Sequence, residues 1–345
     1  MKNKKSIVIG SVVIVILVII AGCWFQKSGS TLNDIKVTRK QENKYAKAYG
    51  EQALQIAEGW CRSCFFMGNA LIDDETLKNF QKEYTVEQVK IEASSDGHTI
   101  PADYILANNS KDCNTVIIIH GHGCNRRMMP SIEYDFLELG YNVLAYDVAT
   151  AGENYGKIAS YGITDQYELL DCINYVRKEM SADKKLVVCG WSYGGGVLGV
   201  ALGNSEIDEK IDMAVLDCPI GDFEKFMNFR MMGEIQLTKQ EDIDSMQYQM
   251  ECLNQFTEMM YGFRISEASA EKCVQTTKTP VLIFSSEADD VVPLEIVKDL
   301  YNAIPHDKKY LKIFNSAPHT GGSWDDSSKD EYKQILEDFL EGKLY

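Results

Sequence analysis

The chain has 345 residues, of which 45% are hydrophobic and 25% are charged, and this is the ordinary composition of a globular protein. Its length allows two domains or one large α/β domain, and it is sufficient to bury a sizeable core. The formal net charge of −16 disfavours sequence-independent binding to nucleic acid, which requires clustered Lys and Arg. It excludes no small-molecule chemistry.

The amino terminus has the pattern of a membrane-targeting segment. Lys2, Lys4 and Lys5 precede the stretch Ile7–Phe25, which contains no charged residue and is close to the length that spans a bilayer. We therefore predict that residues 1–25 are a signal anchor or a lipoprotein signal.

Two outcomes remain open for this segment. The residues Ile20-Ala21-Gly22-Cys23 resemble a bacterial lipobox, in which the cysteine is lipidated. In the alternative, the segment is an uncleaved anchor and Cys23 is an apolar residue. The short positive region at the start favours a cytoplasmic amino terminus, so we expect a membrane-anchored protein with an extracytoplasmic body.

Residues 26–40 are polar and are interpreted as a linker, followed by a helical extension over residues 41–85. Apolar residues in this extension recur at helical spacing, although Gly50 and Gly59 weaken the pattern. Its Cys-x-x-Cys pair, Cys61 and Cys64, has no second pair or histidine nearby. We predict no zinc site there and leave the role of the pair open.

From residue 86 onward the pattern changes to strands. Val86–Ala93 and Ile100–Ala107 alternate around a Ser-Asp-Gly turn, which indicates a hairpin. Continuous apolar runs then alternate with helical patterns, as expected for a parallel sheet covered on both faces. The runs are Thr115–Ile119, Asn142–Tyr146, Leu186–Cys189, Met213–Leu216, Val281–Phe284 and Tyr310–Phe314. We predict an α/β fold with about eight strands, mostly parallel and flanked by helices.

One interval breaks this rhythm. Residues 221–279 are helical in pattern and rich in methionine, and a structureless loop of this length would be unusual. We predict a helical cap over the carboxyl edge of the sheet. Its methionines, among them Met227 and Met231, could line an adaptable apolar pocket or could pack helices onto the sheet.

The segment Gly190-Trp191-Ser192-Tyr193-Gly194 follows an apolar strand and opens a helical pattern. A Gly-x-Ser-x-Gly sequence in this context is typical of a nucleophile elbow, in which a sharp turn lifts the serine hydroxyl clear of the sheet. Trp191 and Tyr193 flank the nucleophile, and either could contact a substrate or pack in the core.

A nucleophilic serine needs a base and an acid that orients the base. Only two histidines, His306 and His319, follow Ser192 in the chain. His306 precedes the last strand, whereas His319 follows it and lies at the same edge as Ser192, so His319 is the predicted base. The acid should end the preceding strand, where Asp289 and Asp290 compete. Glu287 and the earlier Asp217 remain alternatives.

Together these motifs resemble the α/β-hydrolase family over about residues 86–342. The family pattern Gly-x-x-Asp-x-x-Val-Pro selects Asp289 as the acid, with Ser286 in place of the glycine. The resemblance implies an oxyanion hole formed by the backbone N–H groups of Tyr193 and His122, because the loop His120-Gly121-His122-Gly123 is similar to the family's His-Gly-x-Gly. Gly123 is the alternative second donor.

The run Leu216–Phe223 and the early hairpin are similar to the serine-aminopeptidase-like, prolyl-oligopeptidase-related branch, many members of which carry a membrane anchor. The loop Asp147–Asn154 departs from that branch, because only Asp147 and Gly152 match its Asp-x-Arg-Gly-x-Gly-x-Ser. The resemblance assigns residues 86–345 to an α/β-hydrolase domain with a helical cap at about 221–279.

The resemblance implies a serine hydrolase that cleaves a carboxylic ester or related acyl bond through an acyl-serine. A peptidase acting on short peptides, an acyltransferase and a non-catalytic binding domain are the alternatives. We expect a small acyl substrate or a short peptide as partner, contact with the membrane through the amino-terminal segment, and no nucleic acid.

No cofactor is expected. His120 and His122 have no evident third ligand, so we predict no metal there. The predicted substrate pocket includes Trp191, Met227 and Met231.

Overall fold

The computed structural model describes residues 39–67 and 74–345. The predicted segment 1–25 therefore lies outside the described residues, as does most of the predicted linker. The first described helix begins at Arg39, inside the linker predicted over residues 26–40. Within the described part of the chain, no helix combines the length and the hydropathy that crossing a bilayer requires.

In the described part of the chain, eight strands form one sheet. The strands are β1 Thr85–Glu92, β2 Thr99–Leu106, β3 Thr115–Ile119, β4 Asn142–Tyr146, β5 Leu186–Trp191, β6 Met213–Asp217, β7 Val281–Ser286 and β8 Lys309–Phe314. Their spatial order is β1-β2-β4-β3-β5-β6-β7-β8. The pairs β1–β2 and β2–β4 are antiparallel, and every later pair is parallel. The predicted eight-stranded, mostly parallel sheet is confirmed.

Helices cover both faces of this sheet. They are α1 Arg39–Tyr49, α2 Glu51–Cys64, α3 Asp74–Glu83, α4 Pro130–Glu138, α5 Asp165–Glu179, α6 Tyr193–Ala201, α7 Ser205–Asp208, α8 Phe223–Met232, α9 Gln240–Tyr261, α10 Ala270–Cys273, α11 Leu294–Ala303 and α12 Lys329–Leu340. All five residues of β3 are buried. Such an unbroken run of branched apolar residues suits a strand covered on both faces.

The sheet divides the core into two layers. In β3, Ile117 and Ile119 belong to one layer, and Val116 and Ile118 belong to the other, because successive side chains of a strand point to opposite faces. The layer of Ile117 also contains residues of α2, α8 and α9, so the amino-terminal helices and the insertion share one core.

The interval between β6 and β7 contains α8, α9 and α10 together with two short 3₁₀ segments. The Asp222 side chain accepts a hydrogen bond from the Lys225 N–H and caps the start of α8. Helix α9 ends at Gly262, whose left-handed φ of 84° suits a glycine. Met227, Met246 and Met250 are buried in the core layer that also contains residues of α2.

Helices α1 and α2 pack against α9. The Tyr45 hydroxyl donates to the Cys252 carbonyl over 2.7 Å, and the Trp60 indole N–H donates to Gln249 Oε1 over 3.3 Å. The helical pattern of the predicted extension over residues 41–85 is interrupted at Gly50, where φ is 98°, whereas Gly59 stays inside α2.

Candidate active site

Ser192 lies between β5 and α6 in a strained turn. Its φ of 50° and ψ of −107° lie outside the regions that a residue with a Cβ normally adopts. The Ser192 N–H donates to the Asp217 carbonyl over 2.8 Å, and the Ile220 N–H donates to the Ser192 carbonyl over 3.2 Å. These bonds hold the turn against the end of β6.

Two glycines allow the chain to turn this sharply. A Cβ on Gly190 would lie 2.2 Å from the Gly194 carbonyl oxygen, and a Cβ on Gly194 would lie 2.2 Å from the Ile119 carbonyl oxygen. Both contacts are far inside van der Waals range and involve backbone atoms, so a side chain at either position would displace the elbow. The structure thus accounts for both glycines of the motif.

Asp289 and His319 are in direct contact, with 2.7 Å between His319 Nδ1 and Asp289 Oδ2. The other carboxylate oxygen accepts the N–H groups of Val291 and Val292 over 2.8 and 2.9 Å. Burial alone would raise the pKa of Asp289, but the bonds from His319 and from the two amides outweigh it and lower the pKa. Asp289 is therefore an ionised partner that can hold one tautomer of the imidazole.

Asp217, through its backbone, and Cys218, through its side chain, connect the Ser192 turn to the segment that carries His319. Asp217 accepts the Ser192 N–H through its carbonyl, and Cys218 Sγ accepts the Thr320 N–H over 3.4 Å. The ends of β5, β6, β7 and β8 thus meet at one edge of the sheet, as expected for parallel strands. The structure brings the three residues predicted as nucleophile, acid and base to this edge.

The other predicted acids occupy different surroundings. Asp290 and Glu287 are exposed. Asp217 is buried and accepts the Tyr332 hydroxyl over 3.0 Å, and burial raises its pKa to about 6. Of these carboxylates, Asp289 is the one with a hydrogen bond to His319.

The loop after β3 lies against the nucleophile. A Cβ on Gly121 would lie 3.7 Å from both the Ser192 Cβ and the Trp191 carbonyl oxygen. His120 is buried, with its Nδ1 2.9 Å from the Gly121 carbonyl, and its Nε2 accepts the Val148 N–H over 3.1 Å. Since both ring nitrogens of His120 contact the backbone, this histidine fixes the shape of the loop.

The side chains of the two predicted oxyanion donors each have a hydrogen-bond partner in the protein. The Tyr193 hydroxyl donates to Asp165 Oδ1 over 2.8 Å, and His122 Nε2 lies 3.2 Å from the Cys64 carbonyl. Burial lowers the pKa of His122 to about 4, so its imidazole is neutral and can donate from Nε2. Donation by the backbone N–H groups of Tyr193 and His122 stays a prediction, as does the alternative, Gly123.

The three residues predicted to line the pocket lie in two different core layers. Trp191 is 7% exposed and packs in the layer of α4 and α12. Met227 is buried and Met231 is half-buried in the opposite layer, which also contains Tyr193. Contact between any of these three side chains and a substrate stays a prediction.

Sequence analysis missed the contribution of the segment after α2. The Ala159 N–H donates to the Phe65 carbonyl over 3.2 Å, and the Met67 N–H donates to Thr150 Oγ1 over 3.1 Å. These two bonds attach the extension to the segment after β4, and the Cys64 carbonyl attaches it to His122 in the loop beside the nucleophile. No residue pattern signals such contacts, because they join segments more than 55 residues apart.

A buried ion pair between Arg126 and Asp147 was missed as well. The Arg126 N–H donates to Asp147 Oδ1 over 2.9 Å, and the Glu153 N–H donates to Asp147 Oδ2 over 2.8 Å. Asp147 thus ties the loop after β3 to the loop after β4. The match of Asp147 and Gly152 to the branch pattern was the available signal, since a Cβ on Gly152 would lie 2.2 Å from the Asp147 carboxylate.

Among the described residues, one cluster has the donor types and spacing to hold a metal ion. It comprises Cys218, Asp289 and His319. Burial, together with the charge of Asp217, raises the pKa of the Cys218 thiol, so without a metal this thiol is protonated.

Comparison with known proteins gives the following similarities. The family described as serine aminopeptidase, S33, matches residues 110–321. The uncharacterized protein YqkD of Bacillus subtilis (strain 168) is 24% identical over 250 residues, covering 72% of this chain and 77% of its own.

Solved structures share the fold. The Pyrococcus furiosus esterase Pf2001 has a TM-score of 0.60 at 21% identity, covering 80% of this chain and 97% of its own. Est1E from Butyrivibrio proteoclasticus, solved with ferulic acid, has a TM-score of 0.55 at 17% identity, covering 74% and 98%. The Pyrococcus horikoshii acylaminoacyl peptidase has a TM-score of 0.57 at 16% identity, covering 79% and 44%.

Proposed function

The chain belongs to the α/β-hydrolase family described as serine aminopeptidase, S33, and on that premise we propose that it is a serine hydrolase that cleaves a carboxylic ester or related acyl bond through an acyl-serine. The observation that carries the proposal is the 2.7 Å contact between His319 and Asp289 at the sheet edge that bears the strained Ser192 turn.

The reaction follows from these positions. His319 accepts the proton of the Ser192 hydroxyl, and Oγ attacks the carbonyl carbon of the substrate. The N–H groups of Tyr193 and His122 stabilise the negative oxygen that develops. His319 then returns the proton to the leaving alcohol, and an acyl-serine remains. A water activated by His319 releases the acid and restores Ser192.

Two of the structural neighbours support an ester as the substrate. One is an esterase, and another is an enzyme solved with ferulic acid, a carboxylic acid. The family description and the acylaminoacyl peptidase neighbour favour a second candidate, a peptidase acting on short peptides. Matched ester and amide substrates with the same acyl group distinguish the two candidates.

The membrane-anchored placement is part of the proposal. It rests on the uncharged stretch Ile7–Phe25 after Lys2, Lys4 and Lys5, and it puts the hydrolase outside the cytoplasm and close to a lipid surface.

A fluorophosphonate probe tests the central claim. We expect covalent labelling of the full-length protein and its loss in Ser192→Ala, because the probe reacts with an activated serine. Ser205→Ala, at an exposed serine that begins α7, is the control and should label like wild type. Labelling that persists in Ser192→Ala would reject this serine as the nucleophile. A folded wild-type protein that is not labelled would favour the non-catalytic binding domain.

A further inference from the structure

The sheet edge places one donor atom that acyl transfer does not need, Cys218 Sγ, beside the two side chains proposed as its acid and base. Cys218 Sγ, a carboxylate oxygen of Asp289 and a ring nitrogen of His319 all lie within 4.8 Å of one another. A thiolate, a carboxylate and an imidazole are the ligand types that bind Zn²⁺. In a tetrahedral zinc site, bonds of about 2.0–2.3 Å place ligand atoms roughly 3.3–3.7 Å apart. Zinc binding would therefore require side-chain rotations that open the 2.7 Å contact between His319 and Asp289 and bring the sulfur to this spacing.

The backbone holds Cys218 at this position despite its strain. Its φ of 47° is a conformation that favours glycine. Its N–H donates to the Phe284 carbonyl over 2.9 Å, and its sulfur accepts the Thr320 N–H. The serine mechanism assigns no step to this sulfur, which is placed between the strand ends that carry Ser192 and His319.

The charge around the cluster favours a divalent cation. Asp217 is 1% exposed, and its side chain forms hydrogen bonds with the Tyr332 hydroxyl and the Cys218 thiol. The Asp289 side chain is 0% exposed. Two buried carboxylates therefore surround one thiol and one imidazole. The His319 side chain is 17% exposed, which leaves a path from solvent to the cluster.

We propose that Cys218, Asp289 and His319 form an inhibitory Zn²⁺ site. On binding, the thiol releases its proton to water, the hydrogen bond between His319 and Asp289 opens, the neutral imidazole coordinates through its unprotonated ring nitrogen, the ionised carboxylate coordinates through one oxygen, and a water fills the fourth position. The thiolate and the Asp289 carboxylate balance the two charges of the ion. The bound imidazole can no longer accept the Ser192 proton, so zinc stops acyl transfer. The inhibitory effect rests on the proposed function, whereas zinc binding does not.

Direct binding is the first measurement. The full-length protein is titrated with Co²⁺ as a spectroscopic probe and with Zn²⁺ by equilibrium dialysis. We expect one ion per chain and a thiolate-to-cobalt charge-transfer band. Cys218→Ser should lose the band and weaken zinc binding by at least about 10–100-fold, the loss typical when even an outer partner of a metal ligand is removed. Cys218→Gly is a second variant, because glycine adopts this φ without strain.

Cys124→Ser is the matched control. Cys124 lies close to the loop beside the nucleophile, since its sulfur would be 4.0 Å from a Cβ on Gly121, but it is outside the cluster. We expect this variant to keep the band. A wild-type protein that binds no metal, or a band that survives in both Cys218 variants, would overturn the zinc site.

The second measurement is fluorophosphonate labelling. For each variant, the labelling in Zn²⁺ is compared with the labelling of the same variant in EDTA. Zinc should suppress labelling of wild type and of Cys124→Ser, but not that of the Cys218 variants. Equal labelling in both conditions, with zinc bound, would reject inhibition. If wild type is not labelled even in EDTA, the proposed hydrolase function fails, and the cobalt titration still decides whether the zinc site exists.

Discussion

Asp289 differs from the adjacent Asp290 in its burial and in its hydrogen-bond partners. Its two oxygens accept from His319, Val291 and Val292, whereas the adjacent Asp290 is exposed. The adjacent carboxylates thus separate into one that can orient the imidazole and one that is solvated.

This difference predicts unequal effects of two isosteric substitutions. Asp289→Asn should lower kcat by about 10⁴-fold, because an amide no longer holds the imidazole in the tautomer that accepts the serine proton. Asp290→Asn should change kcat less than about 3-fold, since surface substitutions of this kind have small effects. Steady-state ester hydrolysis by both variants measures the contrast. A larger loss in Asp290→Asn would reassign the acid.

His98 belongs to a second cluster of charged residues, away from Ser192. Its ring contacts Glu168 at 2.9 Å and Asp96, and Asp96 also pairs with Lys157 at 2.8 Å. The hydrogen bond with Glu168 raises the pKa of His98 to about 9, with Asp96 adding to this and burial opposing it.

We predict that the contribution of charged His98 to the free energy of unfolding falls as the pH rises. The unfolded histidine titrates near pH 6.5, so the charged form stabilises the fold fully below about pH 6.5, and this contribution is lost as the pH rises through about 9. The loss should be on the order of 1 kcal/mol after solvent screening. Urea unfolding across this range, in wild type and in His98→Gln, measures it.

His306→Gln is the control for this experiment, because His306 lies just before β8 and outside the cluster. It should retain the wild-type pH dependence, whereas His98→Gln should flatten it. If His98→Gln loses stability between pH 6.5 and 9 as steeply as wild type does, the charged His98 is not the source.

At the scale of elements, the extension before the sheet is part of the folded body. Helix α2 packs against α9 through Trp60, which is 2% exposed. The segment that follows α2 bonds to the loops around Ser192. Helix α2 of the extension and helix α9 of the insertion are therefore coupled through one shared core.

Shortening Trp60 tests this coupling. Trp60→Ala should lower the free energy of unfolding by about 3–5 kcal/mol, since a large buried ring is removed and a cavity remains. Trp60→Phe should lose only about 1 kcal/mol, because it keeps most of the packing and gives up one hydrogen bond. Denaturant unfolding gives both values.

Tyr248→Ala is the surface control on α9, because Tyr248 is 50% exposed, and we expect a change within about 0.5 kcal/mol. A Trp60→Ala protein that unfolds at the wild-type midpoint would mean that the extension contributes little to the stability of the body.

At the scale of the whole molecule, the amino-terminal segment predicts that the protein is located at a membrane. The full-length chain should be found in the membrane fraction, and a chain without residues 1–25 should not, because Ile7–Phe25 supplies the apolar length that a bilayer requires. An alkaline phosphatase fusion after residue 40 should be active, since this enzyme matures outside the cytoplasm. An inactive fusion in a membrane-bound chain would reverse the proposed orientation.

Local patterns were sufficient for much of the fold and part of the site. The unbroken apolar run of β3 predicted a strand covered on both faces, and glycines on both sides of Ser192 predicted a sharp turn. These inferences succeed because the residues that specify each feature are adjacent in the chain. The family resemblance selected Asp289 among nearby carboxylates. In the structure Asp289 has a hydrogen bond to His319, and its role as the acid stays a prediction.

Contacts between distant segments were beyond the reach of these patterns. The bond between Cys64 and His122 and the approach of Cys218 to His319 each join residues that lie far apart in the chain. The sequence by itself determined the elements and the chemistry each can offer. Only the tertiary structure decided which of those groups meet, because parallel strands bring their carboxyl ends together whatever their separation along the chain.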